Sequence, residues 1–205
     1  MFDRRVPAPP AFGDPIHADG SPDMLAQLAC RRSASALSLT TPGPSPDELA
    51  DLLRLAARAP DHGKLFPWRF IVLRDTAKAR FAAGLDAIAA ARPDADKARA
   101  ALGKLTTPPV AVAVLSSPHD GKIPLWEQEL SAGAVCMLLL LAAQAMGYGA
   151  NWITDWYSFD ADALRLLGAR AGEKAAGFVY LGAVAEAPLE RVRPEMAALV
   201  SDWAG

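Results

Sequence analysis

The sequence predicts one mixed α/β domain, in which helices and strands alternate along the chain. Its 205 residues, 52% of them hydrophobic, suffice to bury the core of a single domain of ordinary size. Capped segments with helical periodicity alternate with short apolar runs rich in strand-forming residues. No Gly-x-Gly-x-x-Gly turn links a first strand to a helix, so the pattern does not predict a Rossmann fold.

The start of the chain differs in composition from the rest. Residues 1–20 are rich in Pro, Gly and Asp and lack apolar periodicity, which is typical of an arm or a disordered extension. We therefore expect an N-terminal extension over 1–20 and one folded domain over 21–205.

Capping residues predict the first two helices. Ser21 is a favourable N-cap and Pro22 a favourable first helical residue, and this helix is predicted to run to about Arg32. Ser45 repeats the arrangement, and the apolar residues after it recur at helical spacing to near Arg58.

The later elements are predicted from apolar patterns. They are a strand over 70–73, helices over 76–91 and on to about 104, a strand over 110–115, a long helix over 125–146, and strands over 149–153 and 178–181. The strand over 110–115 is apolar throughout, which indicates a central strand buried on both faces. The apolar run 132–143 is shorter than the roughly 20 residues that span a bilayer, so we expect a buried helix and no membrane association. Gly147 follows that helix and precedes a strand, which is typical of a helix C-cap.

Charge, cysteines and missing motifs exclude several classes of function. The formal net charge of −2 offers no basic surface to a nucleic-acid backbone. Cys30 and Cys136 lie far apart in apolar stretches, so we expect core residues in a reducing cytoplasm. The three histidines fit no compact metal signature, and the hydrolase elbow and the Walker loop are absent. An enzyme with neither an intrinsic nucleophile nor a metal would need an organic cofactor to carry its reaction.

Arg31, Arg32 and Ser33 form the first polar cluster. Guanidinium groups pair bidentately with phosphate oxygens, and a hydroxyl adds a further donor, so the triplet suits a phosphate ester. The same arginines would also complement the negative end of the first helix, and this alternative stays open.

The second and third clusters combine polar groups with aromatic residues. The loop over 58–70 brings cations together with Trp68 and Phe70, as a flavin ring and its phosphate require. The same residues are equally compatible with an ordinary connecting loop whose aromatic side chains lie in the core. The segment 149–156 contains Trp152 and Trp156, which are candidates either for cofactor contact or for the core.

In this order the clusters resemble the FMN-dependent nitroreductase family. The shared pattern is an Arg-Arg-Ser opening, a loop in which six residues separate an Ala-Pro pair from a Pro-Trp pair, and a Trp-containing segment after a central helix. The sequence is most similar to a small single-domain subgroup with Arg-x-Pro-Asp-His in the loop, here 58–62, and Trp-Glu-Gln-Glu-x-Ser-Ala-Gly in a helix, here 126–133. The resemblance covers roughly residues 24–184.

The resemblance implies a fold, a cofactor and an assembly. The implied fold is α+β, a three-layer sandwich whose central, mainly antiparallel sheet is flanked by helices. The implied assembly is a homodimer with two FMN sites at the interface. The implied FMN-binding residues are Arg31, Arg32, Ser33, Ser35, Arg58, His62, Lys64, Trp152, Ile153 and Thr154. FMN is expected to carry the chemistry, without an acid–base side chain, while Lys64 or Arg58 stabilises negative charge at the flavin N1–C2=O edge.

Two positions depart from the family pattern. Ser35 and Ala36 stand where many relatives carry a further arginine, which makes Lys64 an alternative phosphate ligand. Phe66 replaces the usual glutamine before Pro-Trp, which removes one polar contact near the flavin or the substrate.

The function implied by the resemblance is electron transfer from NAD(P)H through FMN. Hydride passes from NAD(P)H to the flavin, and a nitroaromatic, quinone or similar acceptor then replaces the nicotinamide in a ping-pong cycle. Two alternatives stay open: a same-fold FMN enzyme with another reaction, such as dehalogenation or flavin breakdown, and a flavin-binding module without turnover.

Overall fold

Over the described residues, which are 4, 6–17 and 19–205, the computed structural model contains a five-stranded sheet between two layers of helices. The strands are β1 (Leu39–Thr40), β2 (Trp68–Arg74), β3 (Val110–Ser116), β4 (Gly149–Ile153) and β5 (Lys174–Val184). The helices are α1 (Pro22–Ala29), α2 (Pro46–Ala56), α3 (Asp75–Ala90), α4 (Ala95–Ala101), α5 (Gly103–Thr106), α6 (Leu125–Ala145) and α7 (Ala161–Leu167).

Every strand pairing in the sheet is antiparallel. β3 pairs with β2 on one side and with β5 on the other, and β5 also pairs with β4 and, at its end, with β1. All seven residues of β3 are buried, which confirms the predicted central strand. The mainly antiparallel sheet expected from the resemblance is likewise confirmed.

The side chains of β3 alternate between two cores. Val110, Val112 and Val114 belong to a hydrophobic core shared with α2 and α6. Ala111 and Ala113 belong to a second core shared with α3 and α7 on the opposite face. Because successive strand residues point to opposite faces, one apolar strand serves both cores. This arrangement confirms the three-layer sandwich.

Local capping explains where the first helices begin. The Ser21 hydroxyl accepts a hydrogen bond from the Met24 amide at 3.3 Å. Ser45 and Glu48 form a reciprocal capping box, in which the Glu48 carboxylate accepts from the Ser45 amide at 2.8 Å. The predicted starts of both helices are therefore confirmed.

The prediction that α1 extends to about Arg32 was wrong by about one turn. The helix ends at Ala29, and the Ala34 amide instead donates to the Ala150 carbonyl of β4 at 3.2 Å. Cys30 is exposed at this helix end, which also contradicts its expected place in the core, whereas Cys136 is buried as expected.

Helix α6 borders two cavities that are described below, of about 290 and 640 Å³. By length and composition α6 could cross a membrane, but half of its most apolar 18-residue stretch is buried, and the helix packs against α2, β3, β4 and β5 of the same chain. Its end is closed by a hydrogen bond from the Gly147 amide to the Gln144 carbonyl and one from the Tyr148 amide to the Ala143 carbonyl. This pair is a Schellman motif, with Gly147 at φ 77°, and it confirms the predicted C-cap.

Part of the predicted N-terminal extension contacts the domain. The Arg4 guanidinium lies 4.4 Å from the centre of the Tyr148 ring and donates to its hydroxyl at 2.9 Å. Arg54 of α2 donates to the Pro7 carbonyl at 3.1 Å. Residues 1–3, 5 and 18 of the predicted extension lie outside the described residues.

Candidate functional site

The arginine cluster lines a cavity of about 290 Å³ at the end of α1. Arg31 donates to the Ser33 hydroxyl at 3.2 Å, so the two side chains are presented together. Arg32 donates to the Leu189 carbonyl at 2.7 Å and lies 4.0 Å from the Glu190 carboxylate. The opposite wall is formed by Gln144 and by the first residues of β4. Two guanidinium groups and a hydroxyl therefore converge where the sequence predicts a phosphate site.

The first and third sequence clusters meet in the structure. The bond from the Ala34 amide to Ala150, together with one from the Asn151 side-chain amide to the Ala34 carbonyl, holds the segment after α1 against β4. A second cavity of about 220 Å³ opens beside this contact. Its lining residues are Ser35, Ala36, Leu37, Lys104, Asn151, Ile153 and Thr154.

The two tryptophans of the third cluster are bound to neighbouring backbone. The Trp152 indole donates to the Ala176 carbonyl at 3.0 Å and lies over Gly177, where an added Cβ would stand 2.2 Å from the indole nitrogen. The Trp156 indole donates to the Ala98 carbonyl at 3.0 Å. Both side chains are partly buried and pack against the two cores, and contact of Trp152 with a cofactor stays a prediction.

The second cluster forms a tightly turned loop at the start of α6. Backbone φ is positive at Gly63, Lys64 and Phe66, with values of 79°, 56° and 48°. Such values are uncommon for residues with a side chain and are sustained here by a specific contact, because the Asp61 carboxylate accepts from the Phe66 amide at 2.9 Å. His62 lies on the exposed side of this loop.

Side chains of α6 hold the loop in place. His62 Nδ1 lies 2.8 Å from Glu127 Oε2. One helical turn later, the Ser131 hydroxyl donates to the Pro60 carbonyl at 2.8 Å and accepts from the Trp68 indole at 3.0 Å. This corner borders a cavity of about 640 Å³, lined by Pro60, Asp61, His62, Trp126, Glu127, Leu130, Ser131 and Ala134.

Gln128 gives the same helix motif a structural role. The side chain is buried, and its amide accepts from the His119 amide at 2.8 Å and donates to the His119 and Ile123 carbonyls at 3.0 and 3.1 Å. It thereby ties the segment before α6 to the helix. The positioning roles of Glu127 and Ser131 were missed by the sequence analysis, although their spacing of four residues places both on one helix face.

Within one chain the predicted residues occupy separate places. Arg31, Arg32 and Ser33 line the first cavity, and Ser35, Ile153 and Thr154 line the second. His62 lines the third, while Arg58 and Lys64 are exposed on the same loop. A single chain therefore does not bring the arginine cluster and the loop around one ligand.

The donor set suits a flavin nucleotide. Small-molecule sites commonly measure about 300–1,000 Å³. The first cavity, lined by the arginine cluster, measures about 290 Å³, and the third, beside His62, measures about 640 Å³. The first carries two guanidinium groups and a hydroxyl. The third carries the exposed aromatic and aliphatic surfaces of Trp126 and Leu130 beside His62. Cationic donors and an apolar wall are the two features that an anionic nucleotide with a flat ring requires.

Comparison with known proteins identifies the family. The model of the nitroreductase family matches residues 28–183. YdjA of Escherichia coli strain K12, whose name assigns it as an NAD(P)H nitroreductase, is 38% identical over 164 residues, or 78% of this chain and 87% of that protein. A nitroreductase-like family protein of Bacillus cereus has a TM-score of 0.80 at 18% identity, over 93% of this chain and 100% of that one. A Desulfovibrio desulfuricans protein, assigned as a nitroreductase and solved in complex with FMN, has a TM-score of 0.67 at 22% identity, over 90% of this chain and 98% of that one. The family match and the similarity to YdjA show that this chain belongs to the nitroreductase family.

Proposed function

We propose that this protein is an FMN-dependent oxidoreductase that uses NAD(P)H to reduce nitroaromatics, quinones or similar acceptors. The observation that carries the proposal is the convergence of Arg31, Arg32 and Ser33 on one cavity, directly beside the cavity that holds Ser35 and Thr154. The relative YdjA, named for NAD(P)H nitroreductase activity, and the FMN-bound structure from the same fold support the choice of cofactor and reductant.

In this proposal the residues around β4 bind the polar part of FMN. Arg31, Arg32 and Ser33 hold the phosphate, because charge-assisted hydrogen bonds from guanidinium groups are both strong and directional. The contact between Arg32 and the Leu189 carbonyl keeps one guanidinium oriented before any ligand binds. Ser35 and Thr154 face the adjoining cavity, where they bind the polar chain or ring edge.

The loop residues complete the site from a second copy of the chain. Arg58, His62 and Lys64 lie on a loop that borders a different cavity of the same chain, so they reach the flavin across a dimer interface. Trp126 and Leu130 supply exposed apolar surface beside His62, on which a flat ring can pack and from which water is excluded.

The surface of α6 supports the homodimer. From Ala132 to Ala143 the helix is apolar around its whole circumference, although only half of its most apolar 18-residue stretch is buried by its own chain. Leu130, Ala134, Met137 and Leu141 recur at helical spacing along a side that is exposed or only partly buried. A helix that is apolar all round is normally buried, and a second copy of the same helix would cover this side.

The segment after β5 supports the same assembly. Residues 185–205 are all exposed, and they include Leu189, Val192 and Trp203 with exposed fractions of 85–92%. Apolar side chains at this density are typical of a segment that packs on a partner. Both cysteines are free thiols, which fits the reducing cytoplasm that we propose as its location.

FMN, when bound, supplies hydride transfer between the nicotinamide and the acceptor. The contribution of the chain is to bind the phosphate, to orient the ring and to stabilise negative charge at its edge. No protein acid or base is required in this scheme. The side chains that affect the rate of hydride transfer are the cations at or near the ring.

The test is to purify the protein and examine its colour, mass and turnover. We expect a yellow dimer that releases FMN on acid treatment, that NADH or NADPH bleaches, and that an added nitroaromatic or quinone reoxidises. A colourless monomer that binds no added FMN would overturn the proposal. Bleaching without acceptor-dependent turnover would instead support a flavin-binding module.

A further inference from the structure

Three residues of the predicted N-terminal extension lie against the folded domain. The Val6 side chain packs against the core that β3 shares with α2 and α6, and the Pro7 carbonyl accepts from Arg54 of α2 at 3.1 Å. Arg4 lies beside the turn between α6 and β4, where its Nη2 atom is 3.8 Å from the position that a Cβ atom would take at Gly147. We call Arg4, Val6 and Pro7 the strap.

The strap holds the side chain of Tyr148 by its ring and by its hydroxyl. The central carbon of the Arg4 guanidinium lies 4.4 Å from the centre of the ring, and Nη1 donates to the hydroxyl at 2.9 Å. The same hydroxyl donates to one oxygen of the Glu48 carboxylate at 2.9 Å, and Arg4 donates to the other oxygen at 3.3 Å. The three side chains come from the extension, from α2 and from the turn after α6, and they form a closed set of charge-assisted contacts. Tyr148 is therefore fixed by residues far from it in sequence.

Tyr148 is also part of the wall of the 290 Å³ cavity that contains the arginine cluster. Gly149, the next residue of this wall, is packed so closely that an added Cβ would collide with Val184 of β5, which lines the same cavity. The wall is thus packed against β5 at Gly149 and held by the strap at Tyr148. Arg4 itself is not among the described residues that line the cavity, so it acts on the wall from behind.

We propose that the strap belongs to the cofactor site: Arg4 is a positioning residue that fixes Tyr148 in the cavity wall and thereby keeps the cavity in the shape that binds the flavin phosphate. The proposal rests on the proposed binding of FMN. A wall that is fixed before the ligand arrives does not have to be ordered when the ligand binds, so less conformational entropy is lost on binding. Loss of the strap would raise this entropic cost and weaken binding of the phosphate.

The experiment measures flavin binding by five proteins: the wild type, Arg4→Ala, Arg4→Lys, Tyr148→Phe and Arg80→Ala. Arg4→Ala removes the contact between the strap and Tyr148, whereas Arg4→Lys keeps a positive charge and N–H donors. Tyr148→Phe removes the hydroxyl but keeps the ring in the cavity wall and the net charge of the chain. Arg80→Ala is the control, because Arg80 is an exposed arginine of α3. Dissociation constants for FMN and for riboflavin, which lacks the phosphate, are read from flavin fluorescence, and melting temperatures are measured alongside.

We expect Arg4→Ala to raise the dissociation constant for FMN roughly three- to tenfold and that for riboflavin less than about twofold. Tyr148→Phe should weaken FMN binding in the same selective way, Arg4→Lys should recover part of the affinity, and Arg80→Ala should match the wild type. A general loosening of the fold would weaken the binding of both flavins equally. A loss confined to FMN therefore identifies an effect on the phosphate cavity.

Wild-type affinity for FMN in Arg4→Ala would overturn the role of the strap while leaving the proposed function intact, and so would an equal loss of FMN and riboflavin binding. Weaker FMN binding in Arg4→Ala but not in Tyr148→Phe would also overturn it, since Arg4 would then act through its charge alone. A wild type that binds no FMN would overturn both the strap and the proposed function. Should Arg4→Ala melt early, the ratio of the two dissociation constants, measured at a temperature where the variant is folded, decides between the same outcomes.

Discussion

The imidazole of His62 is held by Glu127, with 2.8 Å between Nδ1 and Oε2. The two residues are far apart in sequence and join the strained loop to the first turn of α6. Since His62 is more than half exposed, this pair orients the ring without burying it. The ring is thereby presented at the largest of the three cavities described above.

Removal of the Glu127 carboxylate should therefore weaken flavin binding slightly without unfolding the protein. Exposed polar side-chain contacts of this kind contribute about 0–1 kcal/mol, so Glu127→Gln should raise the FMN dissociation constant about two- to fivefold. Glu129→Gln is the control, because Glu129 lies on the same helix as Glu127 but pairs with Lys174 of β5. Fluorescence titration measures the effect. Unchanged affinity in Glu127→Gln would show that the pair does not position His62 for the cofactor.

Loss of one guanidinium from the arginine cluster should have a larger effect. A hydrogen bond to a charged group contributes about 1.5–3 kcal/mol, so Arg32→Ala should raise the FMN dissociation constant roughly 10- to 100-fold. Arg80→Ala removes an exposed arginine from α3 and should leave affinity unchanged. Flavin occupancy of the diluted, purified protein gives the comparison. Full occupancy of Arg32→Ala at low concentration would contradict the phosphate role.

A charge on the uncovered side of α6 should separate the proposed dimer. Leu141 lies on that side and is only partly buried, so Leu141→Glu places an unpaired carboxylate in an apolar interface. We expect a folded monomer with reduced flavin affinity, measured by light scattering after size exclusion and by titration. Phe159→Glu is the control, because Phe159 is an exposed aromatic outside α6. A Leu141→Glu dimer with full flavin content would refute this interface.

Acid stability should depend on the ion pair that joins β2 to the start of β5. Arg69 donates two hydrogen bonds to Glu173, at 2.7 and 2.6 Å, and these bonds are the main cause that lowers the pKa of the Glu173 carboxyl from 4.5 to about 2. Because the pKa is lower in the folded state, the stabilisation is complete above pH 4.5 and is lost as the pH falls towards 2. The shift corresponds to roughly 3 kcal/mol.

Glu173→Gln should accordingly lower the free energy of unfolding at pH 7 by roughly 3 kcal/mol, with the gap from wild type narrowing between pH 4.5 and pH 2.5. Urea unfolding of both proteins at several pH values measures this difference in the free energy of unfolding. Glu186→Gln, at an exposed glutamate, should follow the wild-type profile. A gap that is constant over this range would rule out titration of Glu173 as its cause.

Local patterns accounted for most elements of the fold. Ser45 predicted a helix start because its capping box is formed by neighbouring residues alone. Helix α7 was missed although its signals are present, since Asp160 caps its start and Gly168 ends it at φ 87°. The two-residue strand β1 was missed because it has no pattern of its own and exists only through pairing with the end of β5.

Within the candidate site, the sequence predicted individual residues but not which of them share a cavity. The resemblance pointed to Arg31, His62 and Thr154, yet it could not show that Trp152 turns onto the Ala176 carbonyl. Nor could it show that Lys104 enters the cavity, because the lysine belongs to no motif and reaches Asp155 only when α5 packs beside the end of β4.

The sequence by itself determined the family, the order of helices and strands, and the apolar central strand, because these depend on residue type, spacing and short-range capping. The tertiary structure decided which distant residues share a cavity and which aromatic side chains turn inward. Those outcomes depend on strand register and on helix packing, which bring together residues such as Ser35 and Lys104 that have no periodic relation along the chain.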